Sequence, residues 1–201
     1  MSVPHMRASV ATYTGIEFFP LAPRFEDIYI LDIAHALAMS CRFNGHSRDF
    51  YSIAQHSVHV SEWLMKNVGT NATEKLMLAK WGLLHDASEA YIPDMCAPIK
   101  PFFPSFRTVE SYLLIAIAQR FGLPWPIPDV VKYADKAVLK SEVDSGIMTF
   151  CEWWNFGEEH PDANRTIEPM SLDEAEQFFV DEFEYLFGKN ELARTYRPGP
   201  S

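Results

Sequence analysis

His85 and Asp86 stand side by side in Leu83-Leu84-His85-Asp86-Ala87-Ser88-Glu89, after a run dominated by nonpolar and small residues. Carrying an imidazole and a charge towards an interior costs on the order of several kcal/mol unless both find partners. A bound metal ion is one efficient way to remove that cost. His56 upstream and Asp135 downstream could complete a nitrogen/oxygen site. Two imidazoles and two carboxylates suit a divalent ion of intermediate hardness: manganese, iron, cobalt, nickel or zinc, and magnesium less naturally. The four residues span about 80 positions, so a shared ion would tie distant parts of the chain together. Glu89 follows Asp86 by three residues and can return to the same side of a helix or its final turn, where it could take a proton from attacking water. Each residue alone also has a plainer reading. His56 could be a hydrogen-bonded core histidine, Asp135 an exposed carboxylate paired with Lys132 or Lys136, and Glu89 a solvated glutamate at a helix end.

Three helices must position these groups. A helix over about Tyr51 to Asn67 places Ile53, His56, Val60 and Leu64 near one stripe. A second, Ala72 to Ser88, carries the His-Asp pair at its end, with Pro93, Pro98, Pro101 and Pro104 forming a stiff connection after it. A third, capped by Asp129 and running to about Phe150, carries Asp135. Further helices are expected from Asp32 to Met39, from Phe106 to Phe121 with Gly122 closing it, and from Ser171 to Phe187. Asn44-Gly45 marks a turn after the first of these. Residues 1–27 read as an irregular cover with a short strand or hairpin, 155–170 as a surface loop, and the last five residues as a frayed tail. The fold class is therefore all-α, one domain over 1–201 with its helical core at about 30–187.

Composition narrows the function. Of 201 residues, 48% are hydrophobic and 14% aromatic, which supports a packed core and argues against disorder. No stretch of 18 uninterrupted apolar residues suggests a membrane span, and no apolar run follows His5 and Arg7 as a signal peptide requires. Cys41, Cys96 and Cys151 are far apart and read as free thiols in a reducing, cytoplasmic setting. The net charge is -10 and no Lys/Arg block occurs, which argues against gripping a long nucleic acid. A few inward-facing cations could still hold a small phosphorylated ligand.

Cys41-Arg42-Phe43, Tyr51-Ser52-Ile53-Ala54-Gln55-His56-Ser57, Leu84-His85-Asp86-Ala87-Ser88-Glu89, Asp94-Met95-Cys96-Ala97-Pro98-Ile99-Lys100 and Lys132-Tyr133-Ala134-Asp135 occur in that order. Together they resemble the HD-domain phosphohydrolases, particularly the small 5'-deoxynucleotidases and phage-type deoxynucleoside triphosphohydrolases, over roughly residues 30–150. The resemblance implies a compact helical bundle around one divalent ion held by His56, His85, Asp86 and Asp135, with Glu89 as the catalytic carboxylate. It implies Arg42, Lys100 and Lys132 as phosphate-binding cations, Arg42 offering a rigid fork and the lysines compact charge. It places Asp94 on the sugar or leaving-group side and Phe43 near the nucleoside, although a loop cap and ordinary core packing explain those two as well. The expected reaction is hydrolysis of a deoxynucleoside triphosphate, dATP among the candidates, to deoxynucleoside and tripolyphosphate. The alternatives are a 5'-deoxynucleotidase releasing orthophosphate and a non-catalytic nucleotide sensor. A cytoplasmic homo-oligomer is expected on the same ground.

Overall fold

The computed structural model describes residues 8–149 and 165–195. Among these the chain is helical apart from one small antiparallel hairpin, in which β1 (Val10–Ala11) pairs with β2 (Glu17–Phe18), Val10 opposite Phe18. Asp32, buried at the start of the first helix, fastens this hairpin by accepting from the Thr14 amide at 2.7 Å and the Thr14 hydroxyl at 3.0 Å. The helices are α1 (Ile30–Met39), α2 (Ile53–Asn67), α3 (Ala72–Leu84), α4 (Pro104–Phe121), α5 (Asp129–Asp144), α6 (Leu172–Phe187) and α7 (Lys189–Thr195).

Helix α2 is the axis of the bundle. Ser52 caps it by accepting from the Gln55 amide, and every residue from Ile53 to Ser61 is buried. It packs against α1, α3, α5 and α6. Two apolar clusters adjoin along it. The larger contains Ile33, Leu37, Val58, Leu83, Ile117, Phe179 and Phe183, and the smaller contains Tyr51, Leu64, Trp81, Val131 and Val138. At Gly82, α3 comes so close to α2 that a Cβ there would lie 2.9 Å from the Ser61 Cα. Asn71 caps α3, Ser171 and Glu174 form a capping box on α6, and Gly122 closes α4 in the left-handed conformation.

Several boundaries differ from the sequence reading. Helix α3 ends at Leu84 rather than Ser88, and residues Ala87–Ala90 form a separate 3-10 turn. Helix α5 ends at Asp144, not near Phe150, where Gly146 takes φ +79°. Asp129 does not cap α5: Pro128 holds that position, and the Asp129 carboxylate instead meets Lys132 Nζ at 3.1 Å. Pro104 belongs to α4 as its first residue, a position where the missing N–H costs nothing. A short α7 follows Gly188, which the sequence reading passed over. Of the expected surface loop, residues 165–170 are irregular and Ile167 is buried, while 155–164, Cys151, His5, His160 and the terminal tail lie outside the described residues. No helix among the described residues is long and apolar enough to cross a membrane.

Candidate metal centre

Helices α2, α3 and α5 meet where His56, His85 and Asp135 converge, each offering a ligand atom within 4.8 Å of the others. The Asp135 Oδ1 atom lies 3.1 Å from His56 Nε2. Asp86 Oδ2 lies 3.2 Å from His85 Nε2 and 4.0 Å from His56 Nε2. Asp86 leaves helical geometry (φ −101°, ψ 10°) directly after His85 at the end of α3.

Both imidazoles are tied at the far nitrogen. His56 Nδ1 sits 2.6 Å from Glu142 Oε1, and His85 Nδ1 sits 2.7 Å from the Gly82 carbonyl. An acceptor at Nδ1 holds the ring proton there and turns the Nε2 lone pair inward. The two Nε2 atoms are buried and have no hydrogen-bond partner; their close carboxylates lie off hydrogen-bond geometry. Orphaned buried nitrogens are costly, and a cation at this point satisfies both. The donor set, two neutral imidazoles with carboxylate oxygens, fits a divalent transition ion.

Charge supports the same reading. Asp86, Asp135 and Glu142 gather around a single guanidinium, Arg42. Its Nε donates to Glu142 Oε2 at 3.1 Å, its Nη2 to Asp135 Oδ1 at 3.4 Å, and its Nη1 lies 3.9 Å from Asp86 Oδ2. Burial opposes ionisation of Asp86, but His85 overrides it and holds the carboxyl down at about 2. Partial burial likewise opposes ionisation of Asp135, and His56 and Arg42 hold it well below the usual carboxylate range. His85 is pulled both ways: burial lowers it, and the carboxylates of Asp86 and Asp135 raise it to about 9. Glu89 moves opposite to Asp86 and Asp135, up to about 10, chiefly through burial and then through Asp86 and Asp94, with Lys100 and Arg42 offsetting in part. Two nearby carboxyls pushed in opposite directions are a common arrangement for acid–base work.

Arg42 is aimed by a local device. A short antiparallel bridge joins Cys41 to Ser52, with the Arg42 amide donating to the Tyr51 carbonyl at 2.8 Å and the Ile53 amide to the Ser40 carbonyl at 3.1 Å. Phe43, Asn44 and Gly45 then take φ of 57°, 52° and 77° in succession. Left-handed non-glycine residues cost roughly 1–3 kcal/mol each and concentrate at functional turns. The Phe43 ring lies 5.1 Å from the Arg42 guanidinium carbon and packs at the edge of the smaller apolar cluster. Lys100 is held on the other side by Glu110 Oε1 at 2.9 Å, with Asp94 Oδ1 3.6 Å away. Lys132 stands apart, 72% exposed and paired with Asp129. His59 is buried and faces Glu62 at 3.5 Å, outside the convergence.

Glu142 was not singled out in the sequence. Its one signal there is position, seven residues after Asp135 and therefore two turns along the same helical face.

Comparison with known proteins adds kinship. No family model matches the chain. An Escherichia coli K12 protein described as uncharacterized protein YfdR is 36% identical over 133 residues, which cover 66% of this chain and 69% of that protein. The chain belongs to the YfdR family. A second relative, an uncharacterized protein of Rhodobacter capsulatus, is 40% identical over 120 residues, 58% of this chain and 60% of the relative.

Proposed function

We propose that this protein is a metal-dependent phosphohydrolase of HD-domain type that converts deoxynucleoside triphosphates to deoxynucleoside and tripolyphosphate. The observation that carries the proposal is the pair of buried Nε2 atoms of His56 and His85, which make no hydrogen bond and converge with Asp135 on one point, with Asp86 Oδ2 3.2 Å from His85 Nε2 and Arg42 beside them. A divalent ion bound there supplies polarisation of a phosphoryl oxygen and acidifies water. Arg42 neutralises charge building on the phosphoryl oxygens, and Lys100 adds charge towards the polyphosphate. Water adds to the α-phosphorus, the bond to the 5'-oxygen breaks, and the water's proton ends on that oxygen. Glu89 takes a proton from the attacking water and passes one to the leaving 5'-oxygen. Asp94 accepts from the sugar 3'-hydroxyl.

A second reading, a 5'-deoxynucleotidase releasing orthophosphate, draws on Lys132. That cation is paired with Asp129 away from the cluster, which leaves Arg42 and Lys100 as the nearer positive charges, a set sufficient for a monophosphate.

The test is product analysis. Metal-stripped protein restored with manganese, cobalt, zinc or magnesium is given ribo- and deoxynucleoside mono- and triphosphates, and products are identified by chromatography and mass. Deoxynucleoside with tripolyphosphate is the expected result; orthophosphate from monophosphates alone establishes the second reading. No product from folded, metal-loaded protein refutes both.

A further inference from the structure

Glu142 has no exposed side-chain surface, and its two oxygens serve two different groups. One accepts from His56 Nδ1 at 2.6 Å and the other from Arg42 Nε at 3.1 Å. We propose that Glu142 is a positioning residue that aims the metal-facing imidazole and the anion-facing guanidinium with a single carboxylate. The half of this that concerns Arg42 rests on the phosphohydrolase reading.

The geometry carries the argument. With an acceptor at Nδ1, His56 keeps its proton there and presents the Nε2 lone pair towards Asp135 and Asp86. With Nε fastened, the planar guanidinium cannot swing about its long axis, and both Nη groups stay on the side where those carboxylates lie. A carboxylate is the one side chain of this length that accepts on both oxygens. Glutamine has a single acceptor oxygen and would face one of the two donors with an NH2 group. Aspartate is a methylene shorter and cannot span both from the same backbone position. The contact reaches across 86 residues to His56 and 100 to Arg42, so α5 sets α2 and the turn after α1 in register together.

The consequence is coupling: one substitution weakens two ligands that touch different residues. The test uses three measurements, none of them turnover. Nitrogen–proton NMR of the metal-free wild-type protein reads the His56 tautomer, expected to carry its proton on Nδ1. Calorimetry of Glu142→Gln with Co2+ should show affinity lowered about 10- to 100-fold. Calorimetry of the Co2+-loaded proteins with inorganic tripolyphosphate should show about tenfold weaker binding to that variant. Arg42→Lys keeps the charge and removes Nε, so it should weaken tripolyphosphate while leaving Co2+ affinity within about twofold of wild type. This variant and the wild-type tautomer decide the matter if Glu142→Gln does not fold.

A His56 proton on Nε2, an Arg42→Lys variant that binds tripolyphosphate as wild type does, or a folded Glu142→Gln variant that loses only one ligand would overturn the proposal. A wild-type protein that binds Co2+ but no tripolyphosphate would overturn the half that concerns Arg42 together with the triphosphate reading, while the His56 half stands or falls with the tautomer and the Co2+ titration. A protein that passes every arm yet turns over no nucleotide defeats the phosphohydrolase reading alone.

Discussion

A Cβ added at Gly82 would lie 2.7 Å from Leu64 Cδ1 and 2.9 Å from both the Cα and the amide nitrogen of Ser61. The leucine methyl can rotate away, but the Ser61 atoms are backbone of α2 and can yield only if the two helices separate by roughly 0.5 Å. Two effects of opposite sign therefore meet in Gly82→Ala. Alanine in a helix interior is favoured over glycine by about 1 kcal/mol. Overpacking of a closely fitted contact costs about 1–3 kcal/mol. Because two of the three clashing atoms cannot rotate, the upper part of that range applies and the net loss should be about 1–2 kcal/mol, a fall in Tm of about 2–8 °C for a chain of this size. The displacement also reaches the centre, since the Gly82 carbonyl orients His85 through its Nδ1. Co2+ affinity should drop about tenfold. Thermal unfolding followed by circular dichroism, with and without Co2+, and a calorimetric titration read both effects. Adding Leu64→Ala should recover little, because it clears only the side-chain contact. A Gly82→Ala protein that melts at the wild-type temperature and binds Co2+ equally well would refute the claim that this glycine sets the spacing of the site.

Two further outcomes follow from the titrating groups. The proton on His85, held to about 9 by Asp86 and Asp135 against the opposing effect of burial, must leave before Nε2 can bind a cation. Metal affinity should accordingly rise with pH, by up to about tenfold per unit between pH 6 and 9, with proton release visible as a buffer-dependent enthalpy; a flat profile would contradict this protonation state. Glu89→Gln should lower turnover by about 10²- to 10⁴-fold while Co2+ affinity changes little, measured by product formation and calorimetry on the same sample; undiminished turnover would remove Glu89 from proton transfer.

What could be read from the sequence depended on how local the signal was. The stripe Ile53, His56, Val60 and Leu64 announced α2 and its inward histidine, because helical periodicity is written in neighbouring residues. The convergence of His56, His85 and Asp135 followed from the ordered motif rather than from spacing, which alone also allowed a core histidine and a solvent-facing aspartate. The end of α3 was misplaced because Ala87, Ser88 and Glu89 are all compatible with continued helix. In the structure the chain leaves helical geometry at Asp86 (φ −101°, ψ 10°), a departure that these residue types do not signal. Asn44-Gly45 signalled a turn, yet nothing marked Phe43 for a left-handed conformation. Glu142 was invisible for a similar reason: a glutamate buried by contacts 86 and 100 residues distant looks like any other on a helix. Lys132, grouped with the phosphate-binding cations by resemblance, pairs locally with Asp129, a contact that i,i+3 spacing would have allowed.

The bridge between Cys41 and Ser52 divides the loop it closes into two inheritances. Its base is clamped by the Arg42–Tyr51 and Ile53–Ser40 hydrogen bonds, and within it residues 44–46 and 48–50 are exposed. Asn44 and Gly45 are held by their left-handed backbone, but substitutions at His46, Arg48, Asp49 and Phe50 alter the rim without passing through the clamp, so Arg42 keeps its place while the residues beside it drift. Descendants of one ancestor could thus diversify this border at almost constant stability, each keeping the same charged centre and meeting its surroundings through different side chains.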